Sequence, residues 1–394
     1  MKTLSRFCCP IDMRNRFRKM AVTLGLLLLL ALALSISLQL ELPTPAGPYS
    51  VGRSILRWLD PARQEVQTED TNDVREVMAL IWYPAVEGTG TKVGYFPELS
   101  VVSNALRESG EVAPWEIVAL GFIRSQNDLD AEPMSGPFPV VIFSPGNGTN
   151  IEFYSSLASE IASHGYIVVG INHPYDVAAV QLSDGNIAHY DKDQWQLDVK
   201  THQVYTAERI KVRTADVLFA LHQLEIMNAD SKSPFAGILD LNHVAAVGHS
   251  LGGITASEAC KADAEFTACL NLDGLLAGGP FSADGTSAPP DQPFLFLTKE
   301  SQIHPRLIEK FESTSESYWV VIHGASHESF TDGPQLRPSL SPHPNQADRF
   351  MALTQAYTLA FLDQTLKGQS ANLLSSSVVS QEVSVKVFHP DDLH

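Results

Sequence analysis

The chain has 394 residues, 44% of them hydrophobic, which supplies a large core, as one α/β domain with excursions or as two domains. Net charge is −18, and six basic residues (Lys2, Arg6, Arg14, Arg16, Arg18 and Lys19) stand before residue 41 against Asp12 alone. The remainder, with 21 basic and 44 acidic residues, repels nucleic acid and anionic membrane surfaces, and no nucleic-acid motif is present.

Behind the basic cluster, residues 21–38 form an uncharged, leucine-rich run of 18. That pattern reads as a targeting segment over 1–40, separate from the fold. The run is long for the apolar part of a signal peptide and just long enough to cross a bilayer. The reading is export, by an uncleaved signal anchor or a cleaved signal peptide. The body is then expected outside the cytoplasm, either secreted or attached to the membrane through this segment. Cys8 and Cys9 precede the run, whereas Cys260 and Cys269 lie in the exported part. The latter two could pair as a disulfide or remain buried thiols, since spacing alone does not give their separation.

Residues 41–48 are a Pro/Gly-rich linker, and the folded body is expected over 49–367. Residues 51–59 and 77–82 read as strands, with an acidic loop, 65–73, between them. Residues 98–123 read as mostly helical, broken near 110–114, within an excursion over about 94–130 that either covers a pocket or packs outside the sheet.

Residues 137–144 have a buried-strand pattern and run into Pro145-Gly146-Asn147-Gly148-Thr149-Asn150. A glycine-rich loop after an apolar strand lets backbone N–H groups approach a bound group closely. The N–H of Asn147 or of Gly148 is the candidate oxyanion donor from this loop. Asn147-Gly148-Thr149 also matches a glycosylation sequon, discounted because a glycan would cover that loop. A helix over 153–164 and a strand over 166–171 follow. His173, in the next loop, is either a second acid–base group or a structural histidine. Residues 181–190 look like a small hairpin. Residues 195–224 read as a long helix on which Arg209, Arg213 and Asp216 form a solvated face.

Val244-Ala245-Ala246-Val247-Gly248-His249-Ser250-Leu251-Gly252-Gly253 organises the rest. An apolar strand enters Gly248-His249-Ser250-Leu251-Gly252 and a helix leaves it, which fits the G-x-S-x-G turn that presents a nucleophile. The turn holds the Ser250 hydroxyl clear of the backbone and aims the Leu251 N–H at a bound carbonyl oxygen. A strand over 267–272 then ends at Asp273, 23 residues past Ser250 and at the same sheet end. The strand over 293–298 ends near Glu300, the rival acid. Residues 274–292 read as a loop near the site. A last strand, 318–322, precedes His323 and His327, of which His327 is the candidate base. Residues 352–366 close the domain as a helix, and 368–394 form a tail with one edge strand over 383–388. Strands alternating with helices imply a mostly parallel sheet flanked by helices, and Ser, acid and His in that chain order specify an α/β-hydrolase fold.

The chain resembles the platelet-activating factor acetylhydrolase family, of the plasma and intracellular isoform II type, in its bacterial-like branch. The resemblance rests on Gly47-Pro48-Tyr49-Ser50-Val51-Gly52, Asp60-Pro61-Ala62-Arg63, Arg75-Glu76-Val77-Met78 and Ile81-Trp82-Tyr83-Pro84. It continues through Phe143-Ser144-Pro145-Gly146, Ala162-Ser163-His164-Gly165-Tyr166 and Asn172-His173-Pro174-Tyr175-Asp176, then the turn around Ser250, Leu272-Asp273-Gly274 and Ser326-His327. It implies a serine esterase whose acid is Asp273 and whose action needs no calcium. Leu251 departs from the aromatic residue usual in animal members. The expected substrates are esters of short or oxidised acyl chains, including phospholipids, with no cofactor and no metal. A general lipase, carboxylesterase or polyester hydrolase is the alternative. An inactive hydrolase fold used for binding is the alternative of another class.

Overall fold

Short apolar runs between turn residues become the strands of one large sheet. The computed structural model describes residues 11–39, 42–109, 117–118, 120–274, 290–300, 316–336, 343–370, 372–374 and 380–389. In chain order the elements are α1 (Ile11–Gln39), β1 (Ser50–Gln64), β2 (Val74–Ala85), β3 (Thr91–Gly94), α2 (Leu99–Ser109), β4 (Arg124–Leu129) and β5 (Phe138–Ser144). Then come α3 (Ser155–Ser163), β6 (Ile167–Asn172), β7 (Ala179–Gln181), β8 (Ile187–His189), α4 (Val199–Ala229), β9 (Leu239–His249) and α5 (Leu251–Ala262). The chain ends through β10 (Phe266–Leu272), β11 (Phe294–Lys299), β12 (Ser317–Ile322), α6 (Ala347–Lys367) and β13 (Val383–Phe388).

The strand order is β13-β12-β11-β10-β9-β5-β6-β2-β1-β4-β3. The run from β6 to β12 is parallel, and β2 and β13 flank it antiparallel. Parallel strands are buried on both faces, so alternate residues feed two cores. Val141, Phe143, Ala245, Val247, Leu270 and Leu295 face α3 and α6 through Leu157, Ile161 and Phe361. Val140, Ile142, Val244, Ala246, Cys269 and Phe296 face α4 and α5 through Val217, Leu221 and Ala259. The chain leaves β5 toward β6 on one side, and β9 returns to the other side of β5. The direction of winding thus reverses between β5 and β9, and the loops that follow both strands stand at this switch point.

Several elements differ from expectation. The excursion holds α2 but also the short strand β4, which pairs with β3 at its threshold, and the polar sequences of both strands carry no alternation. The expected helix break near 110–114 and most of the loop over 274–292 lie outside the described residues. The long helix starts at Val199, where Asp198 accepts from Lys200 N and Thr201 N, and runs on to Ala229. The stretch read as a linker docks on the body: Ala46 N donates to Glu160 and Gly47 N to Ser163, and Leu42 is buried beside Tyr95 and Phe96. The tail supplies β13, paired with β12 over Val383–Phe388.

In α1 the apolar side chains from Phe17 to Leu30 stay more than half exposed rather than packing on the body. Among the described residues no helix is long and apolar enough to cross a membrane. Cys260 of α5 and Cys269 of β10 are joined as a disulfide.

Candidate active site

The turn between β9 and α5 is steric in origin. A Cβ on Gly248 would stand 2.1 Å from the Gly252 carbonyl oxygen, and one on Gly252 only 1.9 Å from that of Ser144. Without those side chains α5 closes onto β9 and β5, and Ser250 is forced to φ 56°, ψ −121°. Ser250 N donates to Leu272 O at 2.8 Å, which fastens the turn to the next strand.

Register places the candidate acid. His249 pairs with Leu272 in the parallel ladder, so the next residues, Ser250 and Asp273, emerge side by side. Asp273 N donates to Leu297 O at 2.8 Å, and the residue sits at φ 51°. His327 begins a single turn after β12. Ser326 N donates to Ser329 Oγ, and Ser329 N donates back to Ser326 O. Five residues on, buried Asp332 accepts from Tyr95 Oη at 2.7 Å and from Ser156 N, which ties this loop to the excursion and to α3. Burial raises the Asp332 carboxyl to about 7, against the hydrogen bonds from Tyr95 and Ser156.

The three side chains meet. The Ser250 hydroxyl donates to His327 Nε2 at 2.9 Å, and His327 Nδ1 donates to Asp273 Oδ2 at 2.6 Å. Ser250 and His327 are half-buried, and Asp273 is buried. Glu300 is elsewhere: it faces His323 Nδ1 at 2.5 Å on the exposed side of that histidine. Lys299, which the sequence did not single out, donates its N–H to Asp273 Oδ1 at 3.3 Å and holds Nζ 3.7 Å from Oδ2.

The loop after β5 lies against the turn, since a Cβ on Gly146 would stand 3.5 Å from that of Ser250. One candidate donor there is corrected. Gly148 N donates to Asp176 O at 2.8 Å, so it has no proton left for a substrate oxygen. The N–H groups of Asn147 and Leu251 donate to none of the described residues. The Asn147 side chain donates to Tyr190 Oη at 2.9 Å and to Gln194 at 3.3 Å.

Helix α4 also departs from expectation. Arg209, Arg213 and Asp216 are buried, not solvated. Arg209 grips the Asp176 carboxylate through Nε and Nη2. Asp216 accepts from Arg75, Arg63 and His173 Nδ1. Ser144 Oγ donates to His173 Nε2 at 2.8 Å and accepts from Arg213 Nη2, which also donates to Pro145 O. Burial and then Arg213 lower His173 to about 4, which makes it a neutral structural histidine. Burial favours the neutral form of Asp216, but Arg75 and His173 overcome that and hold it well below the usual carboxylate range. This network fixes Ser144, Pro145 and, through Asp176, Gly148: the root of the loop that carries Asn147. Among the described residues no group of three or more His, Cys, Asp or Glu could hold a metal ion.

Comparison with known proteins gives the geometry a context. A sequence model of the family "Platelet-activating factor acetylhydrolase, isoform II" matches residues 34–372. A platelet-activating factor acetylhydrolase of Cavia porcellus is 27% identical over 320 residues, covering 73% of this chain and 67% of that one. A probable 1-alkyl-2-acetylglycerophosphocholine esterase of Arthroderma benhamiae is 28% identical over 263 residues, 64% of this chain and 63% of its own. The chain thus spans about two thirds of the length of these relatives. The structure of a ferulic acid esterase from Streptomyces cinnamoneus superposes with a TM-score of 0.69 at 25% identity, covering 88% of this chain and 99% of that one.

Proposed function

The chain belongs to the platelet-activating factor acetylhydrolase isoform II family and is a carboxylic ester hydrolase, and we propose that Ser250, His327 and Asp273 perform its chemistry. The observation that carries this reading is the continuous hydrogen-bond path from Ser250 Oγ through both ring nitrogens of His327 to Asp273. His327 Nε2 takes the Ser250 proton as Oγ bonds to the ester carbonyl carbon. The carbonyl oxygen becomes an oxyanion that the Leu251 and Asn147 N–H groups receive; each such donor contributes roughly 10²–10³ in kcat. The tetrahedral intermediate collapses, the alkoxide leaves with the proton from Nε2, and the acyl group stays on Ser250. Water repeats the sequence with the same base and releases the acid. Asp273 fixes the proton on Nδ1 and stabilises the imidazolium.

The substrates in this reading are esters of short or oxidised acyl chains, including glycerophospholipids. The printed names of the Cavia and Arthroderma relatives support it. Hydrolysis of p-nitrophenyl esters from acetate to palmitate, by the full chain beside Ser250→Ala, tests it. Activity confined to short chains and lost in the variant is expected. A maximum on long chains would move the assignment to a lipase. No activity on any ester, with Ser250 unreactive to a fluorophosphonate, would overturn it.

The targeting role of residues 1–40 belongs to the same proposal. The basic cluster, the apolar run and its exposed side chains support export, and the Cys260–Cys269 disulfide fits an oxidising compartment. Fractionation with N-terminal mass analysis distinguishes an anchored chain from a cleaved one, and a cytoplasmic, uncleaved, soluble chain would overturn it.

A further inference from the structure

Two buried side chains beside the triad take no part in acyl transfer, yet their hydrogen bonds run in one direction only. His249 Nε2 lies 3.0 Å from the carbonyl oxygen of His327. A carbonyl oxygen only accepts, so Nε2 carries a proton and donates it. Burial, and then His327 beside it, hold His249 well below the usual histidine range. The ring is therefore neutral and Nδ1 is a bare acceptor. Tyr154 Oη, 2.8 Å from Nδ1, must donate to it, and burial pushes the Tyr154 hydroxyl up, so it keeps its proton. The remaining lone-pair side of Oη accepts the Gly146 N–H at 2.9 Å. One polarity thus runs from Gly146 through Tyr154 and His249 to His327.

Three members of this path lie at loops that acyl transfer must hold in register. Gly146 precedes Asn147, His249 precedes Ser250, and His327 is the base. We propose that Tyr154 and His249 are positioning residues that join the oxyanion loop, the nucleophile turn and the histidine loop into one frame. The proposal rests on the assignment of Ser250 and His327 made above. The ring of His249 lies with its centroid 4.5 Å from that of His327 and 5.9 Å from that of Phe330. A neutral ring suits that place, because His327 becomes a cation during the reaction and a second cation so close would oppose it. The pair acts through the placement of other groups, where a shift of ~1 Å can lower the rate about 10²-fold.

The test uses the full chain, p-nitrophenyl butyrate and four variants: Tyr154→Phe, His249→Gln, His249→Phe and the Tyr154→Phe/His249→Gln double. A glutamine amide can still donate toward the His327 carbonyl, and a phenylalanine cannot. Tyr154→Phe is expected to lower kcat ~10–100-fold with KM within about twofold, the pattern of lost transition-state alignment. His249→Gln should retain more activity than His249→Phe. Because the path acts as a unit, the double variant should be no slower than the slower single. A Tyr154→Phe kcat within about twofold of the parent, a KM effect in its place, or a double loss equal to the product of the singles would overturn the proposal. Should His249→Phe not fold, Tyr154→Phe, which removes one oxygen, decides alone. Fluorophosphonate labelling of the parent separates the two readings: no label on Ser250 defeats the active-site assignment, whereas a labelled parent with an indifferent Tyr154→Phe defeats only this one.

Discussion

Ser250–His327–Asp273 and Ser144–His173–Asp216 share one connectivity, serine to Nε2 and Nδ1 to carboxylate. The distances are 2.9 and 2.6 Å in the first and 2.8 and 2.8 Å in the second. Their surroundings differ in three ways. The His327 side chain is 36% exposed and that of His173 is 0%. Ser250 sits at positive φ at the head of a helix, whereas Ser144 is a regular residue of β5. Asp216 is gripped by Arg75 and Arg63, and Ser144 also accepts from Arg213. A base lowered to about 4 by burial and a neighbouring guanidinium is a weak acceptor for a serine proton. The pair shows that the hydrogen-bond pattern alone does not make a nucleophile. In the proposed assignment, access and the aim of the hydroxyl make the difference.

The sharpest way to break that comparison is to remove each serine. Ser250→Ala should lose about 10⁴-fold or more in kcat. Ser144→Ala should stay within about tenfold, since only the bracing of the oxyanion loop is touched. A fluorophosphonate should label Ser250 alone, as read by peptide mass spectrometry, and label on Ser144 would erase the distinction.

The acids should separate by the quantity they change. Asp273→Asn is expected to lower kcat ~10⁴-fold with little change in urea midpoint. Asp216→Ala leaves Arg75 short of its partner in a dry site and should lower stability by about 3–5 kcal/mol in urea unfolding. Comparable kcat losses with equal stability would contradict the division of roles.

His173 should show itself in the pH dependence of stability. His173 titrates near 4 in the folded chain and near its ordinary 6.5 when unfolded. Its contribution to stability is therefore complete above 6.5 and is lost as pH falls toward 4, by about 3 kcal/mol. His173→Gln should be less stable than the parent at pH 7 but should decline less steeply between pH 7 and 4.5. An identical slope in both proteins would place the acid sensitivity elsewhere. The smallest effect is expected at Glu300→Gln, within about twofold of parental kcat, because Glu300 faces His323 and not His327.

What could be read from the sequence follows from how local each signal is. The turn around Ser250 is written in ten contiguous residues, and the parallel register carries Asp273 to its side without further information. His327 follows from chain order. The second hydrogen-bonded set is not legible because no local motif marks its members: Ser144 ends β5, His173 follows β6 and Asp216 lies within α4. Charge alone makes Arg209, Arg213 and Asp216 read as a wet face. Their spacing, however, places them on the stripe that continues as Val217, Ala220, Leu221 and Leu224, all buried. Their partners, Arg63, Arg75 and Asp176, lie far off in sequence, and only those partners make burial tolerable. The Gly148 N–H was misjudged for a similar reason, since Asp176 claims it from another loop. Strands β3 and β4 are not legible because short edge strands with polar faces have no period to detect.

The disulfide offers a different kind of handle. Cys260 lies in the last turn of the helix that Ser250 opens, and Cys269 lies four residues ahead of Asp273, so one covalent bond joins the two elements that present the proposed nucleophile and acid. Closing so short a loop contributes roughly 3 kcal/mol by chain entropy. Both sulfurs are buried, Cys260 at 1% and Cys269 at 0% exposure, so a reductant must wait for α5 to part from β10. The rate at which dithiothreitol releases these thiols is therefore a clock for opening beneath the active site, readable without any substrate.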